Sequence, residues 1–144
     1  MIEYDRRGKP KFGDLRYNVS HDRDLVAIAW LRPSDSFGSL IGIDIMCRRR
    51  LNVATYHDCL SDTERVSIAT DHDKFLDFWC AKEALSKAVG LGLGIDFRTI
   101  PYNPIERSIR YRDCQYHVDQ FEHIDGPERY VVAIVVVEVA KDVE

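Results

Sequence analysis

Three features are missing from this sequence: a long hydrophobic run, an excess of basic residues and a closely spaced pair of cysteines. The longest apolar stretch, residues 130–137, is too short to cross a bilayer as a helix. Residues 1–10 are charged and lack the apolar stretch of a signal peptide. With 24 acidic and 20 basic side chains, the net charge of -4 excludes a general nucleic-acid binder. We therefore expect neither a membrane nor a nucleic acid as a partner.

The cysteines are scattered along the chain. Cys47, Cys59, Cys80 and Cys114 form no C-x-x-C pair of the kind that binds zinc or forms a redox dithiol. This pattern is typical of reduced thiols, so we expect a cytoplasmic protein. A chain of 144 residues with 45% hydrophobic side chains can form one core. We expect a single domain over residues 1–144.

Short apolar runs bounded by turn residues predict strands towards both ends of the chain. The predicted strands are residues 15–19, 25–31, 40–45, 97–102, 107–112, 114–121 and 129–139. Residues 32–39 contain proline, glycine, aspartate and three serines, a composition that predicts a hairpin between the second and third strands. The last four strands are expected to form an antiparallel meander.

The middle of the chain has a helical pattern. Ser61 and Glu64 have the spacing of a capping box, and the acidic segment 70–73 favours a second helix start. From there apolar residues follow one side of a 3.6-residue period up to the glycines of segment 90–94, where the helix should end. Its aromatic residues are assigned to the core: Phe75, Phe78 and Trp79. Strands, helices and strands again, without regular βαβ alternation, predict an α+β fold with the long central helix packed on an antiparallel sheet.

Polar residues interrupt these apolar elements, and each has an ordinary explanation. Asp44 lies within an apolar strand, so it needs a partner: a backbone N–H, an arginine, a helix start or a hard cation such as Mg²⁺. A cation needs a second carboxylate, for which Glu83 is the candidate, although Glu83 and Lys87 also have the spacing of a surface ion pair. A capping box explains Glu64, and a turn explains His21. The residues alone leave these alternatives open.

Five short motifs follow one another along the chain. They are Gly8-Lys9-Pro10, Asn18-Val19-Ser20-His21, Gly42-Ile43-Asp44-Ile45, Glu64, and W-x-x-K-E-A-x-x-K-A-x-G-x-G-L from Trp79 to Leu93. In order and spacing they resemble the 4'-phosphopantetheinyl transferase superfamily, and the last motif is the most specific. The resemblance implies the α+β fold of that superfamily. It also implies a magnesium-dependent enzyme that moves the 4'-phosphopantetheine arm of coenzyme A onto a serine of an acyl or peptidyl carrier protein and releases adenosine 3',5'-bisphosphate.

The resemblance further implies roles for individual residues. Asp44 and Glu83 would hold Mg²⁺, Lys87 would face the diphosphate of coenzyme A, and Glu64 or Glu83 would be the general base. The residues implied in coenzyme A binding are Lys9, Pro10, Ser20, His21, Lys82 and Lys87, with Lys9 and His21 at the 3'-phosphate. The basic run 48–50 is either a solvated charge run or a guide for an acidic carrier protein.

Two features depart from the family pattern. In the larger members the strand motif has a further metal carboxylate where this chain has Met46. Those members also carry a substantial first lobe, of which residues 1–37 would be a remnant, while residues 38–144 would be the second lobe. The apolar side chains of the remnant would then lack cover, which predicts self-association or a second polypeptide: Val26, Ile28 and Trp30. The alternative to an active transferase is a catalytically weak or inactive homologue that binds coenzyme A or a carrier protein.

Overall fold

The computed structural model describes residues 3–4, 6, 10–34, 38–90 and 94–138. The strands are β1 (Glu3–Tyr4), β2 (Pro10–Lys11), β3 (Tyr17–Asp22), β4 (Leu25–Trp30), β5 (Ser39–Cys47), β6 (Tyr102–Asn103), β7 (Ser108–Tyr111), β8 (Cys114–Asp125) and β9 (Glu128–Glu138). The helices are α1 (Asp62–Ile68) and α2 (His72–Val89), with 3-10 helices at Val53–Cys59 and Phe97–Thr99. The predicted α+β fold is confirmed.

The main sheet has five antiparallel strands in the order β5-β9-β8-β7-β6. Strand β9 is an interior strand between β5 and β8, and nearly all of its residues from Tyr130 to Val137 are apolar, as expected for a strand packed on both faces. The predicted meander at the end of the chain is confirmed, with one correction. Residues 97–99 form a 3-10 helix capped by the side chain of Asp96, which accepts a hydrogen bond from the Arg98 N–H.

Helix α2 packs on one face of this sheet. Its N-cap is Asp71, whose side chain accepts a hydrogen bond from the Lys74 N–H, and its C-cap is Gly90 in the left-handed conformation (φ 75°). The helix backbone lies so close to β5 that a Cβ on Gly42 would fall onto the carbonyl oxygen of Ala84. Phe75 and Phe78 are buried as predicted. Half-buried Trp79 packs against Phe75 in an aromatic cluster that includes Tyr56 and Phe97, whereas the Phe78 ring contacts Tyr102.

Strands β3 and β4 form a separate hairpin on the opposite face of the sheet. The expected hairpin between β4 and β5 is wrong, because β5 pairs with β9 and β4 pairs only with β3 among the described strands. The inner face of the β3–β4 hairpin contributes Leu25, Ala27 and Ala29 to a small second core. Its outer face leaves Val26, Ile28 and Trp30 more than half exposed, as expected for side chains without cover.

Polar side chains join the hairpin to the free edge of β5. Every second residue of β3 turns inward and accepts a hydrogen bond from a β5 backbone N–H that β9 does not use. The three contacts are Ile43 N–H to Asn18 Oδ1 at 3.0 Å, Ile45 N–H to Ser20 Oγ at 3.3 Å and Cys47 N–H to Asp22 Oδ2 at 2.7 Å. Side chains of β3 therefore satisfy backbone N–H groups of the edge strand β5 that would otherwise bond to a neighbouring strand. We call this set of contacts the β3–β5 seam.

The remaining features agree with the sequence patterns. Helix α1 begins with the predicted capping box: the Glu64 N–H donates to Ser61 Oγ, and the Ser61 N–H donates to a Glu64 carboxylate oxygen. All four cysteines are free thiols. Within the part of the chain that the structure describes, neither α-helix has the length and apolar character needed to span a bilayer.

Candidate functional site

Asp44 lies in the middle of β5, and its side chain faces helix α2. It is 7% exposed, and one carboxylate oxygen, Oδ1, accepts hydrogen bonds from the Ser20 hydroxyl at 2.9 Å and from the Lys87 ammonium at 2.7 Å. Asp44 shares the helix-facing side of β5 with Gly42, two residues earlier, where α2 approaches the strand closely. The negative charge of Asp44, which lies within an apolar strand, is therefore paired with Lys87, as a buried charge requires.

Lys87 connects three elements of the fold. Its ammonium donates to Asp44 Oδ1, to the Ser20 hydroxyl at 3.0 Å and to the carbonyl oxygen of Ile43 at 3.1 Å. The sequence left open a surface ion pair between Lys87 and Glu83. The structure pairs Lys87 with Asp44 instead, and about a quarter of the Lys87 side chain is exposed.

Glu83 lies one helical turn before Lys87 and is half-buried. In the described residues its carboxylate has neither a hydrogen-bond donor nor an ion-pair partner. Burial raises the pKa of Glu83, and the negative charge of nearby Asp44 raises it further, while Lys87 acts in the opposite direction. An unpaired carboxylate held beside a second carboxylate is suited to receiving a cation or a proton.

Glu64 and Lys82 lie elsewhere, in an ion pair inside the protein. Lys82 Nζ donates to Glu64 Oε2 at 2.5 Å and to the carbonyl oxygen of Phe97 at 2.8 Å. The other Glu64 oxygen accepts from the Tyr102 N–H at 2.8 Å. Neither side chain is more than 3% exposed, so the two residues join α1, α2 and the segment leading into β6. The structure does not bring them together with Asp44, Glu83 and Lys87.

The residues expected to bind coenzyme A also lie in different environments. Ser20 is buried against Asp44, whereas the adjacent His21 points to the exposed outer face of the hairpin, because successive strand residues alternate in direction. Lys9 lies outside the described residues. Pro10 belongs to β2, where it pairs with Tyr4, and its side chain is outside the described part.

The three arginines after β5 have different environments. Arg48 is mostly buried and donates to Asp77 and Glu122, each at 2.8 Å, which fastens the end of β5 to α2 and β8. Arg49 contacts Asp22 at 3.3 Å, and Arg50 is exposed. The expectation of a solvated or docking run therefore does not hold for Arg48.

Two carboxylates make an incomplete but chemically suitable site for Mg²⁺. Asp44 and Glu83 could supply hard oxygen ligands, and the Lys87 ammonium is ion-paired with Asp44. Met46, two residues after Asp44, is half-buried and packs on the helix side of the core. The described residues include no group of three potential metal-binding His, Cys, Asp or Glu side chains, so other ligands would have to be substrate oxygens or water.

The sequence motif placed Ser20 at coenzyme A and did not predict its hydrogen bonds with Asp44 and Lys87. Asn18, Ser20 and Asp22 are polar at every second position of a short strand, a pattern that points all three to one face. That alternation was the available signal. It was missed because Ser20 was assigned with His21 by motif, although neighbouring strand residues face opposite ways.

A model of the 4'-phosphopantetheinyl transferase superfamily matches residues 40–135. The matched segment carries Asp44, Glu83 and Lys87 together with the five-stranded sheet and helix α2. The chain belongs to this superfamily.

One similar protein is the 4'-phosphopantetheinyl transferase pptA of Paxillus involutus, which is 29% identical over 115 residues. The alignment covers 66% of this chain and 43% of that protein. The chain thus spans less than half the length of this relative.

Proposed function

We propose that this chain transfers the 4'-phosphopantetheine group from coenzyme A to a serine of an acyl or peptidyl carrier protein, in a magnesium-dependent reaction. The observation that carries the proposal is the convergence of Asp44, Glu83 and Lys87 at the contact between β5 and α2. These are the residues that the superfamily motifs single out for the metal and the diphosphate. Membership of the superfamily supports the reaction class.

Asp44 and Glu83 would hold the metal, since they are the two carboxylates of this cluster. Bound Mg²⁺ supplies positive charge that offsets the diphosphate and stabilises the leaving group. Lys87 is partly exposed and would add a cationic donor beside the same diphosphate. Coenzyme A would then bring phosphate oxygens to a site that has too few protein ligands of its own.

The transfer exchanges one P–O bond for another. The carrier serine oxygen forms a bond to the β-phosphorus of coenzyme A, and the bond from that phosphorus to the oxygen of adenosine 3',5'-bisphosphate breaks. The serine proton must leave, and we assign Glu83 to receive it. Glu83 has two carboxylate oxygens, so it could accept the proton directly or through a metal-held water while it also holds the metal. Glu64 is a poor candidate because both of its oxygens already accept buried hydrogen bonds.

The coenzyme A contacts in this proposal are Lys9, Pro10, His21 and Lys87. His21 is exposed on the hairpin and can donate to a phosphate. Lys82 is withdrawn from the set, because its ammonium is fully buried and donates to three oxygens within the protein. Exposed Arg50 and half-buried Arg49 are proposed to attract an acidic carrier protein.

The test is intact-protein mass spectrometry of apo carrier proteins incubated with the chain, coenzyme A and Mg²⁺, with and without a chelator. A chelator-sensitive gain of one phosphopantetheine mass on the carrier serine is expected. Glu83→Gln should remove the gain, whereas Glu138→Gln, an exposed glutamate at the end of β9, should keep it. Transfer that survives both the chelator and Glu83→Gln would overturn the metal assignment.

The second candidate is a weak or inactive homologue that binds coenzyme A or a carrier protein. It is favoured by Met46, which leaves the cluster with two carboxylates among the described residues. Coenzyme A binding without transfer to any carrier protein would support this candidate. Introducing a carboxylate, as Met46→Glu, should then raise Mg²⁺ affinity and restore measurable transfer.

Self-association is part of the proposal. The outer face of the hairpin and the preceding segment expose six apolar side chains: Phe12, Leu15, Val19, Val26, Ile28 and Trp30. All of them except Val26 line, with Tyr17, a groove of about 440 Å³. Together they expose an area on the order of 600 Å², close to the roughly 800 Å² that each partner buries in a standard interface. Light scattering should show a concentration-dependent dimer that Ile28→Lys dissociates, and a monomer at every concentration would refute it.

A further inference from the structure

We propose that Ser20 is a positioning residue that sets the Asp44 carboxylate and the Lys87 ammonium, and that it is not a coenzyme A contact. This inference rests on the proposed function for its link to the metal and the diphosphate. Ser20 reaches both residues from a different element of the fold, since Asp44 is on β5, Lys87 on α2 and Ser20 on β3.

The hydrogen-bonding capacity of Ser20 is already filled. A hydroxyl has one donor and two acceptor positions. The Ser20 hydroxyl donates to Asp44 Oδ1 at 2.9 Å and accepts from the Ile45 N–H at 3.3 Å and from Lys87 Nζ at 3.0 Å. A phosphate needs donors, and the only side-chain donor of Ser20 is committed to Asp44.

Burial points to the same conclusion. Ser20 is 5% exposed, while its neighbour His21 is exposed on the other face of β3. A ligand that contacts His21 from solvent therefore reaches the face of the strand from which Ser20 is turned away. Ser20 and His21 are adjacent in sequence, but Ser20 faces the buried side of β3 and His21 faces its exposed side.

Ser20 also helps to set the orientation of the Asp44 carboxylate. The hydrogen bonds from Ser20 and Lys87 both end on Oδ1, while the buried Cys80 thiol lies against Asp44 and donates to its backbone carbonyl at 3.2 Å. Two donors on Oδ1 fix the rotation of the Asp44 carboxylate, which would hold the metal together with Glu83. Partners that orient a metal ligand in this way typically change metal affinity or activity by about 10–100-fold when they are removed.

The test compares Ser20→Ala with Ser20→Thr, which keeps a hydroxyl, and with Asn18→Ala. Asn18 is a matched control because it is equally buried, at 5% exposure, and accepts one N–H of the same seam without touching Asp44 or Lys87. The first readout is Mn²⁺ binding with coenzyme A present and carrier protein omitted, followed by electron paramagnetic resonance. Ser20→Ala should weaken binding by about tenfold or more, while Ser20→Thr and Asn18→Ala stay within about threefold of the wild type.

The second readout separates positioning from ligand contact. The ratio of affinities for coenzyme A and 3'-dephospho-coenzyme A should be the same in the wild type and Ser20→Ala. A ratio that collapses in Ser20→Ala would assign Ser20 to the 3'-phosphate and overturn the proposal. Unchanged Mn²⁺ affinity in Ser20→Ala would also overturn it.

The third readout requires no metal or substrate. The ¹⁵N resonance of a lysine ammonium is sharp when the group is held by hydrogen bonds, and the Lys87 signal should broaden or disappear in Ser20→Ala and persist in Ser20→Thr. If the wild type binds no Mn²⁺, the metal part of the proposed function fails, and this signal alone decides the role of Ser20. A Lys87 signal identical in the wild type and Ser20→Ala would refute positioning.

Discussion

Lys82 and Glu64 form an ion pair inside the protein, with 2.5 Å between Nζ and Oε2. Burial lowers the pKa of Lys82, and the charge of Glu64 counteracts that effect. The pair joins helices α1 and α2, and the backbone N–H of Tyr102 and the carbonyl of Phe97 complete its hydrogen bonds. Lys82, which belongs to the most specific sequence motif, therefore contributes to the folding of the domain that carries the site.

Lys82→Met should destabilise the protein by about 3–5 kcal/mol, because Glu64 would be left buried without its counter-charge. Urea denaturation measures the loss. The control is the double variant Lys82→Met with Glu64→Gln, which removes both charges and should recover a large part of the stability. Losses that simply add in the double variant would show that the two side chains do not interact.

Glu83→Gln should suppress transfer by about a hundredfold or more, as loss of a metal ligand or general base requires, yet it should increase stability at neutral pH. The folded-state pKa of Glu83 is raised, so ionised Glu83 lowers stability above that pKa, and the wild type gains stability as the pH falls through it. Glutamine lacks this penalty. Urea denaturation of the metal-free proteins should show an advantage of the variant at pH 7 that disappears towards about pH 4. A variant less stable than the wild type at pH 7 would contradict the burial of an unpaired charge.

Gly42→Ala should destabilise the protein by about 3 kcal/mol or more, since the new methyl group would meet the α2 backbone at Ala84 and Ala88. Thermal unfolding checks the loss, and transfer should fall as well because β5 also carries Asp44. Gly126→Ala is the control. Gly126 has φ +58° and open space around it, so alanine there should cost about 1–2 kcal/mol.

Substitutions of Arg48 and Arg50 should have different effects on stability and on carrier association, although the two residues are only two positions apart. Arg48→Met removes charge-assisted bonds to Asp77 and Glu122 and should cost about 1.5–3 kcal/mol in urea denaturation. Arg50→Gln should leave stability unchanged and slow association with an acidic carrier protein at low salt only. Stopped-flow association at two ionic strengths tests this, and a salt-independent effect of Arg50→Gln would count against electrostatic attraction.

His21→Ala should raise the KM for coenzyme A by about tenfold, the size of one charge-assisted hydrogen bond, without changing stability. His21 is exposed, so its removal leaves no cavity. Steady-state kinetics with coenzyme A and with 3'-dephospho-coenzyme A provide the measurement. Discrimination between the two substrates that survives in His21→Ala would remove His21 from the 3'-phosphate contact.

Local signals in the sequence were sufficient for the helices and the meander. The capping box at Ser61, the aspartate at the start of α2 and Gly90 at its end act on neighbouring backbone groups, so a short stretch of sequence determines them. The partner of β5 was not predictable in that way. Ile43 pairs with Ile134 at the far end of the chain, and turn composition alone incorrectly favoured β4.

The residues of the candidate site were predicted from the sequence, but the directions of some of their side chains were not. Motif spacing identified Asp44, Glu83 and Lys87, and the fold brings them together. Spacing did not give side-chain direction for Lys82, which lies five residues before Lys87 and so leaves the helix roughly 140° around its axis. Likewise, the motif did not give the direction of the Ser20 side chain, because neighbouring residues of a strand face opposite sides. Position in a motif and orientation in space are separate pieces of information.

The β3–β5 seam has a consequence for how such a protein can change over time. Hydrogen bonds between two backbones form whatever the side chains are, so substitution can hardly alter them one at a time. Here the attachment of the hairpin depends on the identity of Asn18, Ser20 and Asp22. Each bond can be weakened, strengthened or removed by a single codon change, and one of the three also touches Asp44. Selection could thus adjust the angle of the hairpin and the geometry of the carboxylate without rebuilding the sheet.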